Sequence, residues 1–279
     1  MHALPYPPID YLVVGHLTKD LTPAGPRLGG TVAYAAQTAR ALGLRVGMVT
    51  TWAGDLDPGP LREIPWAGPP SEITTTFENR ETPAGRVQIL HALAPSLALH
   101  HIPEPWRRVA ILHLGPVAQE VEPTILHGVR AGLVGVTPQG WLRQWDAQGR
   151  VFPSEWPEGP FVLQRSDAAV LSIEDLGGDE SRIPELASAV RLLVVTRGPQ
   201  GADLYWRGEV HHCDAPSVPE VDPTGAGDIF AAAFFVRLYQ TRDPQEALRF
   251  ATLLASQSVT RAGLAGAPSP EDILTLLRG

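Results

Sequence analysis

From Val221 to Val236 the chain reads Val-Asp-Pro-Thr-Gly-Ala-Gly-Asp-Ile-Phe-Ala-Ala-Ala-Phe-Phe-Val. Two glycines around one alanine let a backbone approach a ligand without a Cβ clash. The alanine-rich run that follows predicts a helix over about 229–240. The amides of Gly225, Ala226, Gly227 and Asp228 are then the unpaired first donors of that helix. With the positive end of the helix dipole behind them, they suit an anion. Asp228 runs against this, because a carboxylate inside an anion-binding turn repels a phosphate. It has a purpose there if it takes a proton from a hydroxyl that attacks the phosphate held by those amides. The plain alternative is an acidic residue stabilising a first helical turn.

Such a site needs a scaffold. The chain has 279 residues, 44% of them hydrophobic, enough for one large α/β core. A net charge of -8 argues against a nucleic-acid partner held through phosphates. It does not exclude ATP, for which a local turn and Mg²⁺ can supply positive potential. The single cysteine, Cys213, leaves no internal disulfide and suits a reducing cytoplasm. No stretch reaches the ~18 apolar residues of a membrane span, and the N-terminus has neither the basic region nor the apolar run of a signal peptide. The nine histidines show no metal spacing, and the adjacent pairs His100-His101 and His211-His212 point to opposite faces of a strand. No Gly-x-x-x-x-Gly-Lys-Ser/Thr loop occurs.

Strands and helices alternate along the chain. Strands are predicted at 9–17, 45–52, 109–114, 133–136, 168–171 and 192–195, with a hairpin of 203–206 and 209–213 around Arg207-Gly208. Helices are predicted at 31–42, stopped by Gly43, at 123–131, from the Asp243-Pro244 cap to about 261, and after Ser269. This spacing argues for a mostly parallel sheet covered on both faces. Polar residues just past the strand ends, where such sheets bind ligands, include Asp20, Gln139 and Thr196. The stretch 71–101 is rich in β-formers around a Pro83–Gly85 turn and predicts a projecting hairpin. Glu78, Asn79 and Arg86 are its polar candidates for facing a substrate. Trp141 and Trp145 share one helical face, for core packing or for an aromatic surface.

The string Asp-Pro-Thr-Gly-Ala-Gly-Asp before a small apolar helix resembles the C-terminal signature of the PfkB (ribokinase-like) carbohydrate kinases. The likeness continues through the early Asp20, the Gly29-Gly30 pair, Leu42-Gly43 and Gly54-Asp55. It implies a single α/β domain over 1–279: a ribokinase-like, mostly parallel central sheet with helices on both faces, and a small β lid at about 71–101. Thr-Thr-Thr-Phe-Glu-Asn and Gln-Gly-Trp-Leu-Arg are similar to the myo-inositol kinase-like branch.

The resemblance also implies roles. Asp228 becomes the catalytic base, and Gly225, Ala226 and Gly227 the anion hole. Substrate binding falls to Asp20, Gly29, Gly30, Tyr34, Glu78, Arg86, Gln139 and Arg143. Tyr34 stands where the family usually has Asn. ATP binding falls to Thr196, Gly198, Gly201, Thr224, Ala255, Ser256 and Gly263, with Arg197 either neutralising phosphoryl charge or simply exposed. Where many members carry Asn-x-x-Glu for Mg²⁺, this chain has Ser172 and Asp175, with Glu174 beside them. The implied reaction is ATP-dependent phosphorylation of a sugar or cyclitol hydroxyl, with a myo-inositol-like polyol favoured. A nucleoside kinase and a non-catalytic binding protein are the rivals. A homodimer through the lid is a further expectation.

Overall fold

A computed structural model describes residues 6–82 and 85–278, the side chains of 81, 82, 85, 86 and 278 excepted. In chain order the elements are β1 (Tyr11–Val14), β2 (Thr18–Thr22), β3 (Gly25–Gly29), α1 (Thr31–Ala41), β4 (Val46–Val49), β5 (Trp66–Ala67), β6 (Thr75–Thr82) and β7 (Gly85–Ala92). Then come β8 (Arg108–Leu114), β9 (Arg130–Val136), β10 (Arg143–Trp145), β11 (Val151–Pro153), α2 (Gly159–Leu163), β12 (Ala168–Ser172), α3 (Ile183–Ala189) and β13 (Leu192–Thr196). The chain ends with β14 (Ala202–Trp206), β15 (Glu209–Cys213), α4 (Ala226–Thr241), α5 (Pro244–Ser258) and α6 (Pro270–Arg278).

Nine strands make one sheet in the order β15-β14-β13-β12-β9-β8-β1-β4-β5. It is parallel from β13 to β5, with β14 and β15 added as an antiparallel hairpin. The alternation of side chains serves two cores. Tyr11, Val13, Val170 and Val194 face α1, α4 and α5, whereas Leu12, Val14, Leu171 and Val195 face the opposite layer. Both sides of the strands are therefore apolar, as a doubly covered parallel sheet requires. Helix α4 is buried on nearly every side from Ile229 to Val236. Its alanines let α1 and α5 approach it closely, which explains an apolar sequence with no polar stripe.

The lid is larger than the hairpin expected at 71–101. Strands β6 and β7 form that hairpin, but β2 and β3 extend it to four strands, β3-β2-β6-β7. The sequence places Asp20 just past a strand over 9–17, but β1 ends at Val14, and Thr18–Thr22 and Gly25–Gly29 are strands of the lid. They are held as strands by pairing, Asp20 to Phe77 and Leu21 to Glu78, rather than by burial. The helix expected over 123–131 is one turn, Pro123–His127, after which the chain enters β9 at Arg130. Trp141 and Trp145 do not pair. Trp141 stacks on Trp156 in the core at 5.2 Å, because the chain turns into β10 between them.

Candidate active site

The C-terminal ends of β1, β8, β9, β12 and β13 open under the lid into a cavity of about 710 Å³. Its floor is the Pro223–Asp228 turn. Gly225 has φ 82° and caps α4, a conformation that favours glycine. A Cβ there would also strike the ring of Tyr34. The N-terminus of α4 opens on the cavity, but not all of its first amides are unpaired as expected: the Ala226 amide donates to the Pro223 carbonyl at 3.2 Å. Asp222 holds the turn from behind. Its Oδ1 accepts from the Thr224 amide at 3.0 Å and its Oδ2 from the Gly263 amide at 2.9 Å, with Arg27 of the lid 3.5 Å away.

Asp228 lies at the start of α4, half-buried and enclosed by protein on every side but the cavity. Burial pushes its carboxyl up to about 6, a hydrogen bond with Thr31 opposes this, and the charge of Asp175 adds to it. A carboxylate so placed can exchange a proton near neutral pH. Tyr34 is 2% exposed, and burial first, then Asp20 and Asp228, drive its phenol far above the ordinary range. It is a neutral phenol packed under the turn.

Around Asp228 stands a polar wall. Asp20 accepts from Thr18 Oγ1 at 2.9 Å. Its carboxylate covers Gly29, where any Cβ would collide with it. Gly30, at φ 90°, passes too close to the His16 carbonyl for a side chain. The Gly-Gly pair is thus explained by close approach, and Gly30, not Gly29, lines the cavity. Gln139 and Arg143 both line it. Arg143 donates to the Val117 carbonyl at 3.1 Å and lies 5.8 Å from the Phe77 ring centre.

Glu78 is a correction. Phe77 and Asn79 face the cavity, so Glu78, between them on β6, faces outward. There it pairs with Arg80 at 2.7 Å and His91 at 2.7 Å. Asn79 is the inward residue, and it accepts from Gln88 of β7 at 3.1 Å. The side chain of Arg86 lies outside the described residues.

Thr196, Gly198, Gly201, Thr224, Ala255 and Ser256 all line the cavity. Gly263 does not line it and serves Asp222 instead. Arg197 turns away to Asp203 and Glu180, at 2.6 Å and 2.5 Å. The segment Ala215–Val218 also lines the cavity. Gly201 makes room for it, since a Cβ would strike the Cys213 carbonyl.

Glu174 and Asp175 line the cavity near its middle. Asp175 Oδ2 accepts from the Ser172 amide at 2.8 Å and Oδ1 from Gln139 at 3.0 Å. No group of three or more His, Cys, Asp or Glu able to hold a metal occurs among the described residues. Two carboxylates nonetheless fit Mg²⁺, which keeps its waters and uses few protein ligands beside phosphates. Sequence reading missed Thr31, Gln88, Thr137 and Asp222. Thr31 follows the Gly-Gly pair directly and Asp222 opens the Asp-Pro-Thr-Gly-Ala-Gly-Asp string, both usable signals, whereas Gln88 and Thr137 carried none. No helix among the described residues is long and apolar enough to cross a membrane.

Comparison with known proteins bears on the family and the fold. The family described as pfkB family carbohydrate kinase matches residues 166–272. A cytidine kinase of Thermococcus kodakarensis is 26% identical over 280 residues, covering 91% of this chain and 98% of that protein. A pyrophosphate-dependent kinase of the ribokinase family, solved with a pyrophosphate analog and myo-inositol, superposes with a TM-score of 0.76 at 20% identity, covering 95% of this chain and 99% of that one. Arabidopsis thaliana ribokinase, solved with ribose and ATP, gives a TM-score of 0.70 at 20% identity, covering 98% and 99%. The two structures speak to the fold.

Proposed function

We propose that this chain, whose residues 166–272 match the pfkB family of carbohydrate kinases, transfers the γ-phosphoryl of ATP to a hydroxyl of a sugar or cyclitol, with a myo-inositol-like polyol as the favoured acceptor. The observation that carries this is Asp228: a carboxyl raised to about 6 at the cavity-lining glycine turn that opens α4. An acceptor between Asp20, Asn79, Gln139 and Arg143 presents its hydroxyl to Asp228. The hydroxyl oxygen forms the new bond to the γ-phosphorus, and the bond to the bridging oxygen of ADP breaks. The hydroxyl proton passes to Asp228, and the electron pair leaves with ADP. The amides of Gly225, Ala226 and Gly227 stabilise the charge on the moving phosphoryl. Thr196, Gly198, Gly201 and Thr224 hold the phosphates, and Ala255 and Ser256 wall the adenine. Glu174 and Asp175 would hold Mg²⁺ through its waters, which would neutralise phosphate charge. The lid excludes water from this step. Cytoplasmic residence and a homodimer through the lid belong to the same proposal.

A second reading changes the ligands. The near full-length likeness to a cytidine kinase favours a nucleoside acceptor, and the likeness to a pyrophosphate-dependent enzyme favours pyrophosphate as donor. The test is phosphorylation of myo-inositol, fructose, ribose, adenosine and cytidine with ATP or pyrophosphate and Mg²⁺, with Asp228→Asn as blank. ATP turnover on a polyol that vanishes in the variant is expected. Turnover confined to cytidine or to pyrophosphate selects the second reading, and silence throughout refutes both.

A further inference from the structure

Under the cavity lies a buried polar chain that the proposed reaction leaves unused. The Tyr11 hydroxyl on β1 is 2.7 Å from Nδ1 of His113 on β8. His113 Nε2 is 3.0 Å from Oγ1 of Thr137, just past β9. Tyr11 and His113 are wholly buried, and Thr137 is 6% exposed and lines the cavity. The sheet makes this juxtaposition: β1, β8 and β9 are neighbours, with His113 between Val13 and Gly135. Gly135 leaves space for the Phe235 ring, which meets His113 edge-on at 5.0 Å.

The direction of each hydrogen bond follows from what each group can donate. Burial pushes His113 down to about 3, so near neutral pH one ring nitrogen donates and the other accepts. Among the described residues, the hydrogen-bond partner of the Tyr11 hydroxyl is His113. A proton on Nδ1 would leave the phenol proton buried without an acceptor, which is costly. The phenol therefore donates to Nδ1, the imidazole proton sits on Nε2, and Nε2 donates to Thr137 Oγ1. Thr137 cannot return its own proton to His113 and must point it into the cavity. It does so near the reacting end. Gly115 lies between Thr137, 3.2 Å from its added Cβ, and Thr31, the partner of Asp228.

We propose that the buried Tyr11–His113 pair locks Thr137 as a hydrogen-bond donor into the cavity, where it selects acceptors that present an oxygen beside the reacting hydroxyl. The nature of the occupant rests on the phosphotransfer reading. The placement of the proton does not.

Two measurements on the full chain test this. The first is a long-range ¹H–¹⁵N spectrum of the histidine rings between pH 5 and 8, with His113 identified by its loss in His113→Gln, or by its shift in Tyr11→Phe should that variant not fold. The Nε2–H tautomer throughout is expected, and an Nδ1–H tautomer or a titrating ring overturns the lock. The second is kinetics with myo-inositol and cytidine as probes. Thr137→Val should lower kcat/KM for the active acceptor roughly 2- to 13-fold, the range of one neutral hydrogen bond, while the KM for ATP stays put. Thr137→Ser should restore it. A wild-type value in Thr137→Val, or no recovery in Thr137→Ser, overturns the role in selection. If neither probe turns over, the phosphotransfer reading fails for both, and the tautomer still decides the lock.

Discussion

Replacing Asp228 by Asn should cost activity and add stability, and the structure sets both magnitudes. In the folded chain the carboxyl is raised from 3.8 to about 6. A folded value above the unfolded one means that folding is favoured while the group is protonated. That contribution is complete below 3.8 and is lost as pH rises through 6. The difference of 6 − 3.8, at ~1.36 kcal/mol per unit, is about 3 kcal/mol of penalty carried at pH 7.5. Solvent reaching the group through the cavity mouth screens part of it. Asparagine cannot ionise and keeps an acceptor for Thr31. The variant should thus gain about 1.5–3 kcal/mol at pH 7.5, and roughly half that at pH 5. Urea unfolding at the two pH values measures it. In parallel, kcat should fall roughly 10²–10⁴-fold, the contribution of a positioned general base, and the wild-type kcat/KM should decline below about pH 6. Near wild-type turnover in the variant would refute Asp228 as base. A variant less stable at pH 7.5 would refute the raised carboxyl itself.

The two glycines of the turn should respond differently. Gly225→Ala meets both a left-handed φ of 82° and the Tyr34 ring. It should lower Tm and cut kcat at least ~10²-fold, as loss of one anion-hole donor does. Gly227→Ala, whose added Cβ meets nothing within 4 Å, should unfold with the wild-type transition and lose activity only by obstructing the ligand. Equal Tm values for the two would contradict this account. On the lid, Glu78→Gln should leave the acceptor KM within about twofold, whereas Asn79→Leu should raise it roughly 2- to 13-fold. The reverse order would mean that the lid presents its other face.

Central strands were legible because their signal is local. A run such as Leu192–Val195 is apolar on both faces, and only a covered parallel strand wants that. The anion turn was legible for a similar reason, since glycine spacing and the helix after it are contiguous. The lid shows the limit. Its hairpin announces itself in β-formers, but β2 and β3 exist through pairing with a strand some 55 residues further on, and polar alternation hides them. Glu78 failed for want of phase. The sequence says that Phe77, Glu78 and Asn79 alternate, but only the bound sheet says which way is in. Thr137 failed because it takes its meaning from a partner brought by the fold, His113. Asp222 stands in the signature string, but its partners Gly263 and Arg27 also come only with the fold.

The charge of the cavity imposes a condition on any donor. Asp20, Glu174, Asp175, Glu220 and Asp228 line it, and Arg143 is the only arginine or lysine in the lining among the described residues. Arg197, the cation nearest the phosphate-side turn in sequence, is spent on Asp203 and Glu180. A polyphosphate entering such a cavity meets carboxylates at short range in a medium that screens them poorly. The turn amides and the α4 dipole offset part of this, but they carry only about half an elementary charge. A divalent cation entering with the donor would supply the remainder, and Glu174 and Asp175 are the lining carboxylates that would hold it. On the proposed function, the acidic wall would favour a metal-loaded donor over a bare one. Burial is the main reason that the Asp228 carboxyl is raised, and the acidic wall adds to it through Asp175 and Asp20.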